Sequence, residues 1–201
     1  GWYRIAPHVH TVHSDGRLTP AEVIALGKAS GLDGIVSTDH NTTSALLHWG
    51  EIQDPEFLVI NGVEVTYGQG HWNIFGLDPH AWIDFRIHHN DTLRYRKAVA
   101  KARKAGRLLV ANHPYNLDFL YDVTPMDGIE VWNSAWSPAN ERAVELWHTL
   151  LVGGNRKFAV ASTDFHRGGN IASPHTVVRA EALSAEAVID AIAAGRSYVA
   201  R

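Results

Sequence analysis

An α/β barrel is the fold the sequence predicts, and three observations lead there. Short apolar runs alternate with helix-like segments along the 201 residues, the rhythm of strands laid side by side with helices packed outside them. Five of those runs finish in a side chain able to ligate a metal: His8 with His10, Asp39 with His40, Glu64, His113, and Asp164 with His166. Chance would scatter such residues, whereas a barrel or an open parallel sheet gathers its functional groups at the carboxyl ends of its strands. With 45% hydrophobic residues the chain can also build a substantial core, so a single domain over 1–201 is expected.

The opening run ends in His8-Val9-His10. Alternate side chains of a strand share a face, so the two imidazoles point the same way and can grip one ion together. Asp15 comes round on the following turn. Thr19-Pro20-Ala21-Glu22 carries the signature of a helix start, with Thr19 as N-cap, Pro20 in the first position and Glu22 close to the capping-box position; Gly31 stops that helix. Ile35 and Val36 make a short buried strand leading into Asp39-His40, and a second helix is expected over 43–53. Residues 57–60 and 63–66 read as a third strand broken at Gly62, with Gly68 and Gly70 turning it into a hairpin with 72–77. A helix over 91–105 ends at Gly106, and a strand over 108–111 delivers Asn112-His113-Pro114. Residues 114–127, with Tyr115, Phe119 and Tyr121, read as an irregular loop over the site mouth. A strand over 128–132, a helix over 138–152 and a strand over 158–161 lead to Asp164-Phe165-His166 and the Gly168-Gly169 pair. A closing strand over 176–179 and a helix over 184–194, stopped by Gly195, complete the chain.

Composition narrows the function. A net charge of -3 exerts no global pull on nucleic acid or acidic membranes, and the basic residues of 94–107 read as one solvated helix face. No run approaches the length of a membrane span, and no signal peptide is visible; the expectation is a soluble protein, cytoplasmic or exported after loss of a segment upstream of Gly1. Thirteen histidines and no cysteine mean that a metal must be held by nitrogen and oxygen, a donor mixture that suits Mn, Fe or Zn.

Other residues are weighed singly. Asp39 is expected to orient the neighbouring His40, and His13 to face away. His71, on the hairpin, is favoured as a ligand over a surface histidine. Arg167, beside His166, is either an anion contact at the rim or a solvated loop arginine, and Arg17 is a weaker candidate for the same contact. His175 is a candidate proton donor to a leaving group, against a bland reading as polar surface. Glu130 and Asn133 end a strand within reach of the pocket, which Trp132 and Trp136 are placed to line. His48, His80, His88, His89 and His148 read as solvent-facing.

Together, His8-x-His10, Ser14-Asp15-Gly16, Thr38-Asp39-His40, Glu64, Asn112-His113-Pro114 and Asp164-x-His166 resemble the motif set of the PHP (polymerase and histidinol phosphatase) superfamily. Gly1-Trp2-Tyr3, Asp39-His40-Asn41-Thr42-Thr43, Gly62-Val63-Glu64-Val65-Thr66, Gly70-His71-Trp72-Asn73 and Ile129-Glu130-Val131-Trp132-Asn133 resemble its CehA/McbA-type metallohydrolases. The resemblance implies a distorted (β/α)7 TIM-like barrel with two or three divalent ions. It implies His8, His10, Glu64 and Asp164 around the first ion, a bridging Glu64 with His71 and His113 at the second, and Asp15, His40 and His166 at the third. Two departures stand out. Asp15 occupies a position where superfamily members place a histidine, and Ile5-Ala6-Pro7 replaces a Gly-Asp-Leu-like run, removing a carboxylate able to receive a ligand's second N–H.

Three dications carry about +6, of which Asp15, Glu64, Asp164 and a bridging hydroxide offset about four, so a small anionic ester is the favoured substrate. The expected activity is metal-dependent hydrolysis of a phosphate mono- or diester with that hydroxide as nucleophile. A carboxyl-ester or carbamate hydrolase of CehA/McbA type is the rival within enzymes, and a catalytically silent metal-binding module the rival outside them.

Overall fold

The structure is a computed structural model and describes residues 1–52, 54–115 and 121–201. The expectations that touch Gln53 and Phe119 lie outside these residues. Among the described residues nine strands form one sheet in the order β7-β6-β5-β4-β3-β2-β1-β8-β9. They are β1 (Trp2–Val9), β2 (Gly34–Ser37), β3 (Leu58–Tyr67), β4 (Gly70–Phe75), β5 (Leu108–Ala111), β6 (Gly128–Asn133), β7 (Phe158–Ser162), β8 (His175–Arg179) and β9 (Ser197–Ala200). The helices are α1 (Pro20–Ala29), α2 (Leu46–Trp49), α3 (Thr92–Ala105), α4 (Pro138–Val152) and α5 (Ala185–Ala193). No helix among the described residues is long and apolar enough to cross a membrane.

The sheet curls into a nearly closed barrel. Ile5, Val36, Ile60, Phe75, Val110, Val160 and Val178 come from seven different strands, yet they share one buried cluster with Val188, Ile189, Ala191 and Ile192 of α5. A flat sheet cannot bring seven strands to one point, so this cluster is the barrel interior, with α5 as its plug. The seam lies between β7 and its neighbours across the gap. Thr176 Oγ1 accepts from Ala161 N at 2.9 Å and donates to Ala161 O at 3.0 Å, and beyond the strand ends His10 N donates to Phe165 O at 2.8 Å. Outside the barrel, α1 and α2 pack with β1 and β2, while α3 packs over Trp72, Ile74, Leu109 and Ile129.

Local chemistry accounts for most boundaries. Thr19 and Glu22 form a complete capping box, Asp91 caps α3 by accepting from Arg94 N, and Ser184 caps α5 by accepting from Ala187 N. Three expectations need correction. The second helix is one turn, because Thr42 and Ser44 spend their hydroxyls on local hydrogen bonds and Asn41 pairs with the backbone of Thr66, which competes with helix formation. Strand β3 runs unbroken through Gly62. That glycine marks close packing: a Cβ there would stand 2.6 Å from Ile74 O and 2.9 Å from Ser37 O. Lastly, 176–179 does not close the sheet, since β9 follows it, and β8 and β9 run antiparallel to their partners.

Candidate metal centre

The site begins with a fault in β1. Ala6 and Val9 both pack in the outer cluster although three positions separate them, which a regular strand forbids; the register slips between them in a bulge. The slip leaves His8 and His10 on the inner side, both buried. A second register shift in β6 lets Ile129 and Val131 pack outside while Glu130 and Asn133 turn toward the site. Backbone strain follows the same residues. His113 and Asp164 hold positive φ angles of 24° and 53°, values that non-glycine residues keep only where their surroundings dictate it. Gly16 lets its turn lie against His10, where a Cβ would stand 2.5 Å from the His10 carbonyl.

Glu64, fully buried, is the hub. Its Oε1 lies 3.2 Å from His8 Nε2, 3.2 Å from His71 Nδ1 and 3.5 Å from His113 Nε2; its Oε2 lies 2.8 Å from His40 Nδ1 and 3.5 Å from His10 Nε2. Asp164 Oδ1 approaches His10 Nε2 at 3.0 Å and His8 Nε2 at 3.2 Å, and its Oδ2 stands 3.6 Å from His113 Nε2. At the outer edge Asp15 Oδ1 lies 3.2 Å from His166 Nε2 and 3.6 Å from His40 Nε2. Four donor groups have ligand atoms mutually within 4.8 Å: His8, His10 and Asp164; His40, Glu64 and His71; His10, Asp15, His40 and His166; and His8, His113 and Glu130. The nine side chains expected to hold metal thus converge, with His8, His10 and His40 each shared between two groups and His113 grouped with Glu130.

Electrostatics bind the cluster together. Burial opposes charge on His8, but Asp164, Glu64 and Glu130 outweigh it and raise its pKa well above the ordinary imidazole value. Burial also works against His40 and His113, and their contacts with Glu64 still raise both. His10 goes the other way, because burial dominates there. Burial alone would push Glu64 and Asp164 up; the surrounding imidazoles, His8 foremost, hold both below the usual carboxylate range. The raised imidazoles of His8, His40 and His113 thus pair with the lowered carboxyls of Glu64 and Asp164 as an internal salt, and an ion entering among them must expel protons.

The remaining expectations sort by contact. Asp39 does not orient His40: it accepts from Thr11 N and Thr11 Oγ1, both at 2.8 Å, and from Ser14 Oγ at 2.6 Å, so it fastens the loop that carries Asp15. Thr66 Oγ1 takes up His40 instead, 2.5 Å from its Nδ1. His175 stands apart, its Nδ1 against Ala172 O at 2.8 Å and its Nε2 receiving Arg4 Nε at 3.2 Å, so the structure does not bring it to the cluster as a proton donor. Arg167 and Arg17 are exposed on adjoining loops, joined where Arg17 N donates to His166 O. His13 turns away to Ser44. Asn112, which donates to Glu64 Oε1 at 2.7 Å, carried no assigned role in the sequence; its place directly before His113 was the available signal.

No protein-family model matches the sequence, and no curated protein matches it. Solved structures do. The chain is similar over its whole length to a two-domain protein from Bacteroides vulgatus that contains a predicted PHP-like metal-dependent phosphoesterase, with TM-score 0.73 and 21% identity. The chain has the PHP fold. It spans 65% of that protein's length. It is also similar to PsfC from Pseudomonas syringae, with TM-score 0.72 and 17% identity over 100% of this chain and 91% of the other. An amidohydrolase from Chromobacterium violaceum matches with TM-score 0.61 and 19% identity over 83% of this chain and 89% of the other.

Within the PHP fold the donor set fits divalent metal. All donors are nitrogen or oxygen, and His8 Nε2 and His10 Nδ1 are buried ring nitrogens to which no described residue gives a well-formed hydrogen bond. Glu130 supplies what Ile5-Ala6-Pro7 lacks. Its Oε1 lies 3.1 Å from His8 Nδ1, and its Oε2 accepts from His113 N at 3.0 Å and from Asn133 Nδ2 at 3.1 Å, so one carboxylate from β6 orients ligands on two other segments.

Proposed function

We propose that the protein is a metal-dependent hydrolase of phosphate esters, using two or three divalent ions of the Mn, Fe or Zn kind. One observation carries the reading: eight nitrogen and oxygen donor side chains from several strand ends and loops gather about the buried carboxylate of Glu64 in the PHP fold. His8, His10 and Asp164 would hold one ion, Glu64 with His71 and His113 a second, and Asp15, His40 and His166 a third. Ions bound there would acidify water and stabilise negative charge developing on a phosphoryl oxygen. Glu130 and Thr66 keep the imidazoles of His8 and His40 in place, and Asn112 holds Glu64. Asp15 and His166, at the outer edge, face the entering ester, and Arg167 with Arg17 receives its anionic end.

A second reading, hydrolysis of a carboxyl ester or carbamate in the CehA/McbA manner, draws support from the likeness to a protein named as an amidohydrolase. The test is a rate comparison on manganese-loaded protein between 4-nitrophenyl phosphate, bis(4-nitrophenyl) phosphate and 1-naphthyl N-methylcarbamate, with Asp164→Ala as control. Phosphoester turnover lost in the variant is the expected result. Carbamate turnover alone would overturn it in favour of the second reading.

A further inference from the structure

Helix α3 gathers six of the chain's 18 lysines and arginines into 14 residues that hold no acid. Its inner side is spent on the barrel through Tyr95, Ala98, Val99 and Ala102. The outer side divides in two. Arg94 is tied to Asp84, Asp91 and the Arg86 carbonyl, and Arg103 to Asp127. Arg96, Lys97, Lys101 and Lys104 are exposed, and among the described residues none of them is ion-paired with a carboxylate. Leu93, Lys97, Lys101 and Lys104 succeed one another at helical spacing, so they form a single ridge about 16 Å long. Trp82 adjoins the ridge from the preceding segment, with Lys101 Nζ 5.6 Å and Arg86 Cζ 5.2 Å from its ring centre. Trp82 is 48% exposed and Leu93 65%, so an indole and a leucine stand open about two turns apart with Lys97 between them. Along the ridge lies a hollow of about 370 Å³ lined by Leu93, Lys97 and Lys101; Asp84 and Asp91 also border it, already engaged by Arg86 and Arg94.

We propose that this face docks the protein on an anionic phospholipid surface, the lysines meeting headgroup phosphates in and around the hollow while Trp82 and Leu93 enter the headgroup layer. The arrangement selects this occupant over two others. A protein interface keeps its apolar residues in the centre and is depleted of lysine, whereas here the lysines hold the centre and the apolar tips stand apart. Single-stranded nucleic acid needs an open aromatic face for its bases, and Trp82 already has two cations against its ring. A bilayer accepts both features, since tryptophan settles at the headgroup level and each lysine or arginine near an anionic surface adds attraction. With a net charge of -3 the chain as a whole gains nothing from such a surface, so the attraction comes from the α3 face. No metal ligand lies on that face, and the docking stands or falls apart from the phosphoesterase reading.

The experiment is co-sedimentation with vesicles of phosphatidylcholine alone and of equal parts phosphatidylcholine and phosphatidylglycerol, at low and at high salt. Wild type is expected to bind the mixed vesicles, to leave the neutral ones in suspension and to be released by salt. At about fivefold per cation, Lys97→Ala combined with Lys101→Ala weakens binding by about 25-fold. Trp82→Ala weakens it as well. Arg179→Ala combined with Arg196→Ala makes the same change of net charge at exposed positions beside Gly1 and Trp2, and leaves binding within about twofold. Circular dichroism and metal content stay at the wild-type values in all of these variants. Absence of binding to the mixed vesicles at low salt, or an equal loss in the two double variants, overturns the proposal. Tighter binding of a single-stranded oligonucleotide, abolished by Lys97→Ala with Lys101→Ala, assigns the face to nucleic acid and overturns it too.

Discussion

Glu130→Gln isolates the contribution of a carboxylate that grips the centre from behind. The substitution keeps the side-chain volume and removes the charge. Glu130 serves His8 Nδ1, His113 N and Asn133 Nδ2 together. A glutamine has one acceptor oxygen for these three, and wherever its amide turns, an NH₂ faces another donor. A hydrogen bond to a charged group contributes about 1.5–3 kcal/mol, and loss of such a partner behind a metal ligand typically costs about 10–100-fold in metal affinity. That range equals about 1.4–2.8 kcal/mol, so one bond, the His8 contact, is enough to account for it. Competition of the protein with a chromophoric chelator for Mn²⁺ and Zn²⁺ measures the loss directly. Circular dichroism checks that the fold survives, and Asn133→Ala separates the side-chain partner from the carboxylate. An apparent affinity within about twofold of wild type, in a folded variant, would refute the assignment of Glu130 as the positioning group for His8.

Three further outcomes follow from the geometry. His8, His40 and His113 have raised pKa values, so in metal-free protein their stabilisation is complete below the unfolded imidazole value of about 6.5 and fades as pH rises, while Glu64 and Asp164 stabilise above about 4.5 and lose this as pH falls. Metal must displace the imidazolium protons, so the rise in Tm on adding Mn²⁺ should be larger at pH 8 than at pH 6 in scanning calorimetry; a pH-independent rise would contradict the internal salt. Asp39→Asn sets an amide donor against the Thr11 and Ser14 donors and should cost about 1–3 kcal/mol, with elemental analysis showing preferential loss of the ion nearest Asp15. Gly62→Ala drives a methyl into Ile74 O and Ser37 O and should destabilise the protein by about 1–3 kcal/mol in urea titration, with neutrality disproving the tight crossing of β2, β3 and β4.

Where the local sequence decides the structure, reading it succeeds. The capping box of Thr19 and Glu22 begins α1, Pro138 opens α4 and Gly106 follows α3, because caps and breakers act within a few residues. Convergence of most of these side chains was also legible, since five apolar runs close on them; Asp15 on its turn and His71 at the start of β4 follow no such rule. Strand direction was not legible. Nothing in the pattern of His175–Arg179 distinguishes a parallel from an antiparallel neighbour, and β9, Ser197–Ala200, is four half-exposed residues with no clear alternation to announce it. His175 looked available for chemistry only until its tertiary partners, Arg4 and Ala172, were known. Glu130 left a fainter trace, a lone acid alternating with Ile129 and Val131 in an apolar strand, and the register shift after it that brings Asn133 to the same side is a property of the pairing with β7 and cannot be seen in β6 alone.

The plug of the barrel by α5 bears on the order in which the molecule is made. Side chains from seven strands and one helix bury one another at the end away from the histidines. None of that packing involves a ligand residue. The chain therefore owns a hydrophobic foundation that forms with no ion present, and the imidazolium-carboxylate salt above it holds the ligands near their places in the meantime. On the proposed function, a metal could then be exchanged or withheld at one end of the barrel without unmaking the scaffold at the other.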